Sequence, residues 1–309
     1  MKNNKGGLQK RRSKYITQLP ILALCVPVIL YMLIFNYIPM GGVIIAFKNY
    51  TPIEGIFGSR WVGFANFDYF FKTDASSVLL KTIGYNMFFI FLNMFLSIVI
   101  ALLLFEVNSK NCIKLFQTSM SLPHTISYVI VAYIVYALFA YDTGIINHFL
   151  TSIGKEPILW YNEPKYWPLI LTVTQAWKGI GMGSVIYYGT LMGIDNSLFE
   201  AAALDGAGRF KQTLHVSIPA LIPIICILLI TNVGGVLGGD QALFYQVPRD
   251  SAALYSTTDV LSTYLQRVVT SGNLSVTSAV GLFQNVVGLV MLLITNGIIS
   301  KISPENSLL

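Results

Sequence analysis

The sequence predicts an all-α integral membrane protein with six transmembrane helices. Hydrophobic residues make up 54% of the 309-residue chain, and charged residues make up only 11%. An average soluble domain carries about 25% charged residues, so this composition excludes a water-soluble globule. Apolar runs long enough for a spanning helix, which needs about 20 residues, recur along the whole chain. Basic residues cluster at particular ends of these runs and predict which ends face the cytoplasm.

Six apolar segments have the length and composition of membrane spans. The first is over-long and interrupted by prolines, so we expect its helix to end near Tyr37, with the remainder at the extracellular edge. The fourth is the least apolar, because it contains Gln175, Lys178 and several glycines, for which close helix packing is the best explanation. The predicted spans are 19–47, 79–105, 122–140, 167–191, 218–237 and 277–299.

These spans form one predicted transmembrane domain, residues 19–301, between a basic N-terminal segment, 1–18, and a short tail, 302–309. With the N-terminus inside, the cytoplasmic segments hold eleven of the 20 basic residues but only five of the 14 acidic residues. Basic residues in short loops favour the cytoplasmic side, so we expect both termini to be cytoplasmic. The net charge of +6 is therefore an orientation signal and not a nucleic-acid surface.

Small residues dominate the loop 195–216, which this topology places in the cytoplasm between the fourth and fifth spans. Its alanines and glycines leave little side-chain bulk on one face of a predicted helix-turn-helix, so another protein can approach the backbone closely. Ser197 and Glu200 have the spacing of a capping box, which predicts that the first helix starts at Ser197. Pro219 is expected to stop the second helix where the next apolar run begins.

The same loop carries a family resemblance. Residues 200–219 read EAAALDGAGRFKQTLHVSIP, which has the spacing of the EAA loop: EAA, three residues, Gly, nine residues, and a final I-x-L-P-like element. By this motif the chain resembles the permease subunits of type I ABC importers. The stretches YIPMGGVIIAFKNYTP (37–52), WVGFANF (61–67) and QAWKGIGMGSVIYYGTLMGID (175–195) resemble the carbohydrate-uptake group, and its LplB-like oligosaccharide and polysaccharide branch in particular.

The resemblance implies a multi-pass protein of the bacterial cell membrane that acts with partners. These are a homologous second permease in a heterodimer, two ATPase subunits bound to the paired EAA loops, and an extracytoplasmic solute-binding protein that delivers the carbohydrate. The chain itself lacks a P-loop, so it is expected to be a transport subunit and not an enzyme. It is expected to bind no cofactor, with ATP and Mg held by the partner ATPase. The residues expected at the ATPase contact are Glu200, Ala201, Ala202, Ala203, Asp205, Gly206, Ala207 and Phe210.

Polar side chains at helical spacing within the spans are candidates for a substrate pathway, since polar groups seldom face lipid. Such stripes also make helix–helix contacts, and both interpretations stay open. Lys178 stands out because an intramembrane charge is costly; it could face the pathway or the partner permease. The pathway candidates are Asn86, Asn93, Gln175, Trp177, Lys178, Gln284 and Asn285.

Two other classes of membrane protein fit the sequence less well. A gradient-driven secondary transporter of a polar solute would need intramembrane carboxylates or an ion site, and no acidic residue lies centrally in a predicted span. A membrane-embedded enzyme is not supported either, because His124, His148 and His215 border different segments without paired carboxylates. The expected absence of a metal site follows from the same spacing.

Overall fold

The computed structural model describes residues 24–73 and 75–308, which are predominantly helical. Within this part of the chain, residue contacts define two compact units, one from residues 24–69 and 273–282 and the other from 70–272 and 283–308. Four of the described helices are long and apolar enough to cross a membrane, and a bent helix pair makes a possible fifth. The all-α membrane fold is thereby confirmed, while the number of six spans stays a prediction.

The first helix, α1 (Leu24–Phe47), is apolar along its length, and its side chains are mostly exposed. It does not end at Tyr37, as the sequence predicted. Instead it widens into a π turn at Leu33–Tyr37 and then tightens into a 3₁₀ helix at Gly41–Phe47. Pro39 is tolerated because it stands in the first turn after the π turn, where a backbone N–H is not needed for a helical hydrogen bond.

A two-stranded hairpin follows α1 in the same unit, where β1 (Lys48–Asn49) pairs antiparallel with β2 (Arg60–Trp61). The chain then continues through helices whose bounds are as follows: α2 (Ala65–Thr73), α3 (Ala75–Phe105), α4 (Lys110–Thr125), α5 (Tyr128–Phe139), α6 (Ile145–Ser152), α7 (Trp167–Leu191), α8 (Asn196–Leu204), α9 (Arg209–Gly234), α10 (Gln241–Gln246), α11 (Leu261–Thr270) and α12 (Leu274–Ile302). Single turns occur at Gly55–Gly58, Trp160–Asn162, Pro164–Tyr166, Ala252–Leu254, Tyr255–Thr258 and Pro304–Asn306.

The predicted third span, 122–140, is not one helix. Helices α4 and α5 meet there at an angle of 96°, with Ile126 and Ser127 in extended conformation between them. Pro123 lies in the last turn of α4, and α5 starts afresh with the Ser127 hydroxyl accepting from the Ile130 N–H at 3.5 Å. The break therefore has a local cause in the sequence, although the apolar run continues across it.

Helix α7 is the centre of the second unit, because α3, α4 and α9 all pack against it. Close approach requires glycine: a Cβ atom on Gly181 would lie 1.7 Å from the Met120 carbonyl oxygen of α4. A Cβ atom on Gly183 would lie 2.4 Å from the Ser97 hydroxyl of α3. The prediction that these glycines serve close helix packing is confirmed.

Asn147 organises the segment between α5 and α7, and it is 2% exposed. Its amide nitrogen donates to the carbonyls of Ala140, Tyr141 and Ile158 at 3.4, 3.1 and 2.9 Å. Its amide oxygen accepts from the Ile158 N–H at 3.1 Å and from the Trp160 indole at 2.8 Å. One side chain thus satisfies backbone groups on both sides of α6.

We expect Asn147→Ala to lower the free energy of unfolding by about 2 kcal/mol or more, because five hydrogen-bonding groups lose a buried partner. The neighbouring His148 is exposed and serves as the control in His148→Ala. Thermal unfolding of the purified protein in detergent measures the difference. Equal melting temperatures for the two variants would contradict this role.

The orientation of the chain stays a prediction from its charges, and the structure supplies two matched positions to test it. Ser152 and Ser109 are both exposed, and the predicted topology places them outside and inside, respectively. In a chain whose native cysteines are replaced, Ser152→Cys should react with an impermeant thiol reagent on intact cells, and Ser109→Cys should react only after lysis. The reverse pattern would overturn the orientation.

Candidate functional site: an exposed helical turn and a polar cavity

The predicted helix-turn-helix is present and consists of α8, a turn and the start of α9. The N–H groups of Gly206 and Ala207 donate to the carbonyls of Ala203 and Ala202 at 3.0 and 2.9 Å, which is the Schellman pattern of a helix C-terminus. Gly206 has φ +75°, a left-handed conformation that residues with a side chain rarely adopt. The glycine at this position therefore allows the backbone conformation of the turn and also leaves the backbone open to close approach.

The first helix of this turn does not start at Ser197. Its N-cap is Asp195, whose carboxylate accepts from the Ser197 N–H at 2.9 Å. Asp is at least as good an N-cap as Ser, and it stands two residues earlier in the chain. The Ser197 N–H donating to the carboxylate lowers the pKa of Asp195.

The second helix does not end at Pro219, contrary to the sequence prediction. Helix α9 continues through this residue, and a π turn at Thr213–Ser217 lies directly before it. The wider turn accommodates the proline, which cannot donate the usual i→i−4 hydrogen bond. Helix α9 therefore joins the turn and the fifth apolar span in one element.

The turn presents apolar side chains to its surroundings. Leu204 is 90% exposed and Phe210 is 81% exposed. Of the other predicted contact residues, Ala202 and Ala207 are half-buried, and the following are exposed: Glu200, Ala201, Ala203, Asp205 and Gly206. Exposed large apolar residues grouped at one turn indicate a surface for another protein.

The turn is connected to the end of α3 by an ion pair between Arg209 and Glu106. Both side chains are largely exposed, so the pair contributes at most about 1 kcal/mol to stability. Phe199 of α8 also packs against Phe105, with ring centroids 5.7 Å apart. A cleft of about 580 Å³ lies between these elements, lined in part by Glu200, Ala207 and Arg209.

A larger cavity, of about 750 Å³, lies within the second unit. Its walls come from α3, α7, α9 and the segment from Gly235 to Ala242. Its polar lining is made of amides, hydroxyls and one carboxylate, and apolar and aromatic side chains complete it. The polar side chains are Asn86, Asn93, Ser97, Gln175, Thr231, Asn232, Asp240 and Gln241.

Three of the seven predicted pathway residues, Asn86, Asn93 and Gln175, line this cavity. Asn86 also donates to the Val236 carbonyl at 2.6 Å, which ties α3 to the segment after α9. The Asn93 amide oxygen is buried against Gly179 without a hydrogen-bond partner among the described residues.

The other four predicted pathway residues lie outside the cavity lining. Trp177 of α7 is 43% exposed. On α12, Asn285 is exposed and Gln284 is half-buried. Lys178 is buried, and its ammonium group donates to backbone carbonyls at the α4–α5 break.

Five polar residues of the cavity were not among the predicted pathway residues: Thr231, Asn232, Asp240, Gln241 and Ser97. The adjacent polar pair Thr231–Asn232 within an otherwise apolar span is a sequence signal that could have identified the first two. Asp240 and Gln241 follow the predicted span, and only the folding of residues 235–242 against α3 brings them to the cavity. No group of three or more His, Cys, Asp or Glu side chains suited to a metal ion occurs among residues 24–73 and 75–308.

Known proteins of the same kind resemble the chain over nearly its whole length. It is 34% identical to the protein LplB of Bacillus subtilis (strain 168) over 285 residues, covering 91% of this chain and 89% of LplB. The chain belongs to the LplB-like permeases of ABC carbohydrate importers. It is also 33% identical to YteP of the same strain, named a polygalacturonan/rhamnogalacturonan transport system permease protein, with 94% of this chain and 91% of YteP aligned. No protein-family model matches the chain.

The fold agrees with this membership. A chain of a crystallised bacterial ABC transporter, described as importing the acidic polysaccharide alginate, superposes with a TM-score of 0.85 and 29% identity, over 95% of this chain and 99% of that one. The protein is therefore a membrane-embedded permease subunit of an ABC sugar importer, a transport component and not an enzyme. The alternative of a gradient-driven transporter is set aside on the same grounds.

Proposed function

We propose that this permease forms half of the translocation pathway for an oligosaccharide, and that partner ATPases drive it through the turn between α8 and α9. The observation that carries the proposal is the continuity of α9, which begins at the exposed turn with Arg209 and carries Thr231 and Asn232 into the cavity wall. At 1.5 Å per residue the helix separates the two sites by roughly 35 Å. A displacement at the turn can therefore move the cavity wall as one rigid element.

The chemistry of the cavity supports a carbohydrate substrate. A sugar entering it exchanges hydrogen bonds to water for bonds to the amides and hydroxyls of the lining, while apolar faces of the sugar ring contact Phe89 and Tyr187. The named polysaccharide substrates of YteP and of the alginate importer support an oligosaccharide, and not a monosaccharide, as the cargo.

The partners proposed are those the family implies. A second permease completes the pathway, and two ATPase subunits, which hold ATP and Mg, bind the paired turns. An extracytoplasmic solute-binding protein delivers the sugar. Support for the last comes from a second alginate-importer structure, crystallised with a periplasmic protein bound to alginate pentasaccharide, which superposes with a TM-score of 0.84. Both termini of this permease are proposed to be cytoplasmic.

The turn is tested by changing Gly206. Gly206→Trp should abolish retention of the ATPase by the purified permease complex, because the bulky side chain stands where another protein must approach. Gly206→Asn is the matched control, since Asn tolerates the left-handed conformation that φ +75° requires. Pull-down of the ATPase followed by ATP hydrolysis measures both variants. Wild-type ATPase binding by Gly206→Trp would show that this turn is not the coupling contact.

The pathway is tested by filling the cavity. Asn232→Trp should reduce sugar uptake at least about tenfold by steric blockage, which corresponds to an increase of about 1.4 kcal/mol or more in the activation free energy of transport. Ile227→Trp, on the same helix but outside the lining, is the control. Proteoliposomes holding the complete importer are supplied with tritium-labelled galacturonate, mannuronate and xylose trisaccharides. Unchanged uptake by Asn232→Trp would contradict the pathway, and a wild type importing none of them would contradict these cargo classes.

A further inference from the structure

The strongest unexplained feature of the second unit is a buried lysine. Lys178 lies in the middle of α7 and is only 6% exposed. Its ammonium group has no carboxylate partner in an ion pair within the described chain. A charge in this position is costly unless its donors are satisfied. The hydrogen-bond partners of Lys178 therefore indicate its role.

All three donors of the ammonium group are used at one place. Lys178 Nζ donates to the carbonyl oxygens of Pro123, His124 and Ile126 at 3.0, 3.4 and 2.5 Å. These carbonyls lie at the end of α4, at its 96° break from α5, where the Pro123 carbonyl also accepts from the Ile126 N–H at 3.3 Å. A cation at a helix C-terminus is also favoured by the helix dipole. With three protons committed to three carbonyls, the group has none left for a sugar hydroxyl.

The same ammonium group contacts the first residue after the break. It lies 4.5 Å from the centre of the Tyr128 ring, at a cation–π distance. The Tyr128 hydroxyl in turn donates to the amide oxygen of Gln175 at 2.9 Å. Gln175 lines the cavity, one helical turn before Lys178 on α7.

We infer that Lys178 is a positioning residue: it holds the end of α4 at its 96° angle to α5, and through Tyr128 it orients Gln175 toward the cavity. Because the amide oxygen of Gln175 accepts from Tyr128, the amide NH₂ is the end presented to the pathway as a donor. Asp240, which also lines the cavity, is close enough to interact electrostatically with both Tyr128 and Lys178. This inference rests on the proposed function only in treating the cavity as the pathway.

The first arm of the test follows the break itself and needs no sugar. Spin labels are attached to cysteines replacing the exposed Lys114 on α4 and the exposed Ile130 on α5, in a chain without native cysteines and in the assembled importer. Pulsed electron–electron double resonance then gives the distribution of distances between the two labels. Lys178→Met should broaden or shift the wild-type distribution. An unchanged distribution would overturn the capping role.

The second arm tests the positioning of Gln175 and does not depend on whether Lys178→Met assembles. Tyr128→Phe keeps the ring over the ammonium group but loses the hydroxyl, so the distance distribution between α4 and α5 should stay that of the wild type. The sugar imported per ATP hydrolysed should fall about fivefold, the effect of one hydrogen bond. Tyr133→Phe, on the same helix with a side chain 66% exposed, should match the wild type. Import of the same three labelled trisaccharides by proteoliposomes provides the measurement.

A double-mutant cycle separates positioning from a general structural effect. If Tyr128 acts through Gln175, then Tyr128→Phe combined with Gln175→Ala should import no less sugar per ATP than Gln175→Ala alone. Losses that multiply, or a Tyr128→Phe variant with wild-type import, would overturn the inference. A failed cavity block by Asn232→Trp would instead overturn the pathway while leaving the spin-label result to decide the role of Lys178.

Discussion

Backbone polar groups at interrupted helices must find partners inside the chain, and this requirement explains three long-range polar contacts of the second unit. In hydrocarbon an unpaired carbonyl or N–H costs several kcal/mol, so irregular backbone is tolerated only where the protein itself satisfies it. Lys178 does this for the end of α4. Asn86 does it beyond the end of α9, through Val236, and Thr82 accepts from the Leu261 N–H at 2.8 Å at the start of α11.

These contacts also decide the shape of the cavity. Asn86 binds the segment after α9 to α3, and this segment brings Asp240 and Gln241 to the cavity that Gln175 also lines. The break after α4 places Tyr128 against α7 in the same way. A polar residue within a span thus has two possible functions, to bind the backbone of a neighbour or to face the cavity, and Asn86 has a part in both.

The fold class, the position of the turn and the bounds of α7 could be predicted because they depend on local composition, namely apolar length and the content of alanine and glycine. Two local predictions failed at prolines, since a π turn before Pro219 and another before Pro39 let the helices continue. The partner of Lys178 could not be predicted, because Pro123 and Ile126 stand more than 50 positions away and reach it only through the packing of α4 on α7 at Gly181. Periodicity assigns a residue to a face of its own helix, but not to the element that covers that face.

The exposed part of the cavity wall is itself an argument for a second permease. Thr231 and Asn232 line the cavity yet remain exposed in this chain, directly after the wholly apolar stretch 218–230 of α9. The Thr231 hydroxyl is satisfied by the Ile227 carbonyl at 2.9 Å, but an amide such as Asn232 facing acyl chains would be costly. Covering by a homologous subunit would remove that cost and close the open side of the pathway. The residues proposed to bind a sugar are therefore the ones for which the proposed second permease would supply the missing cover.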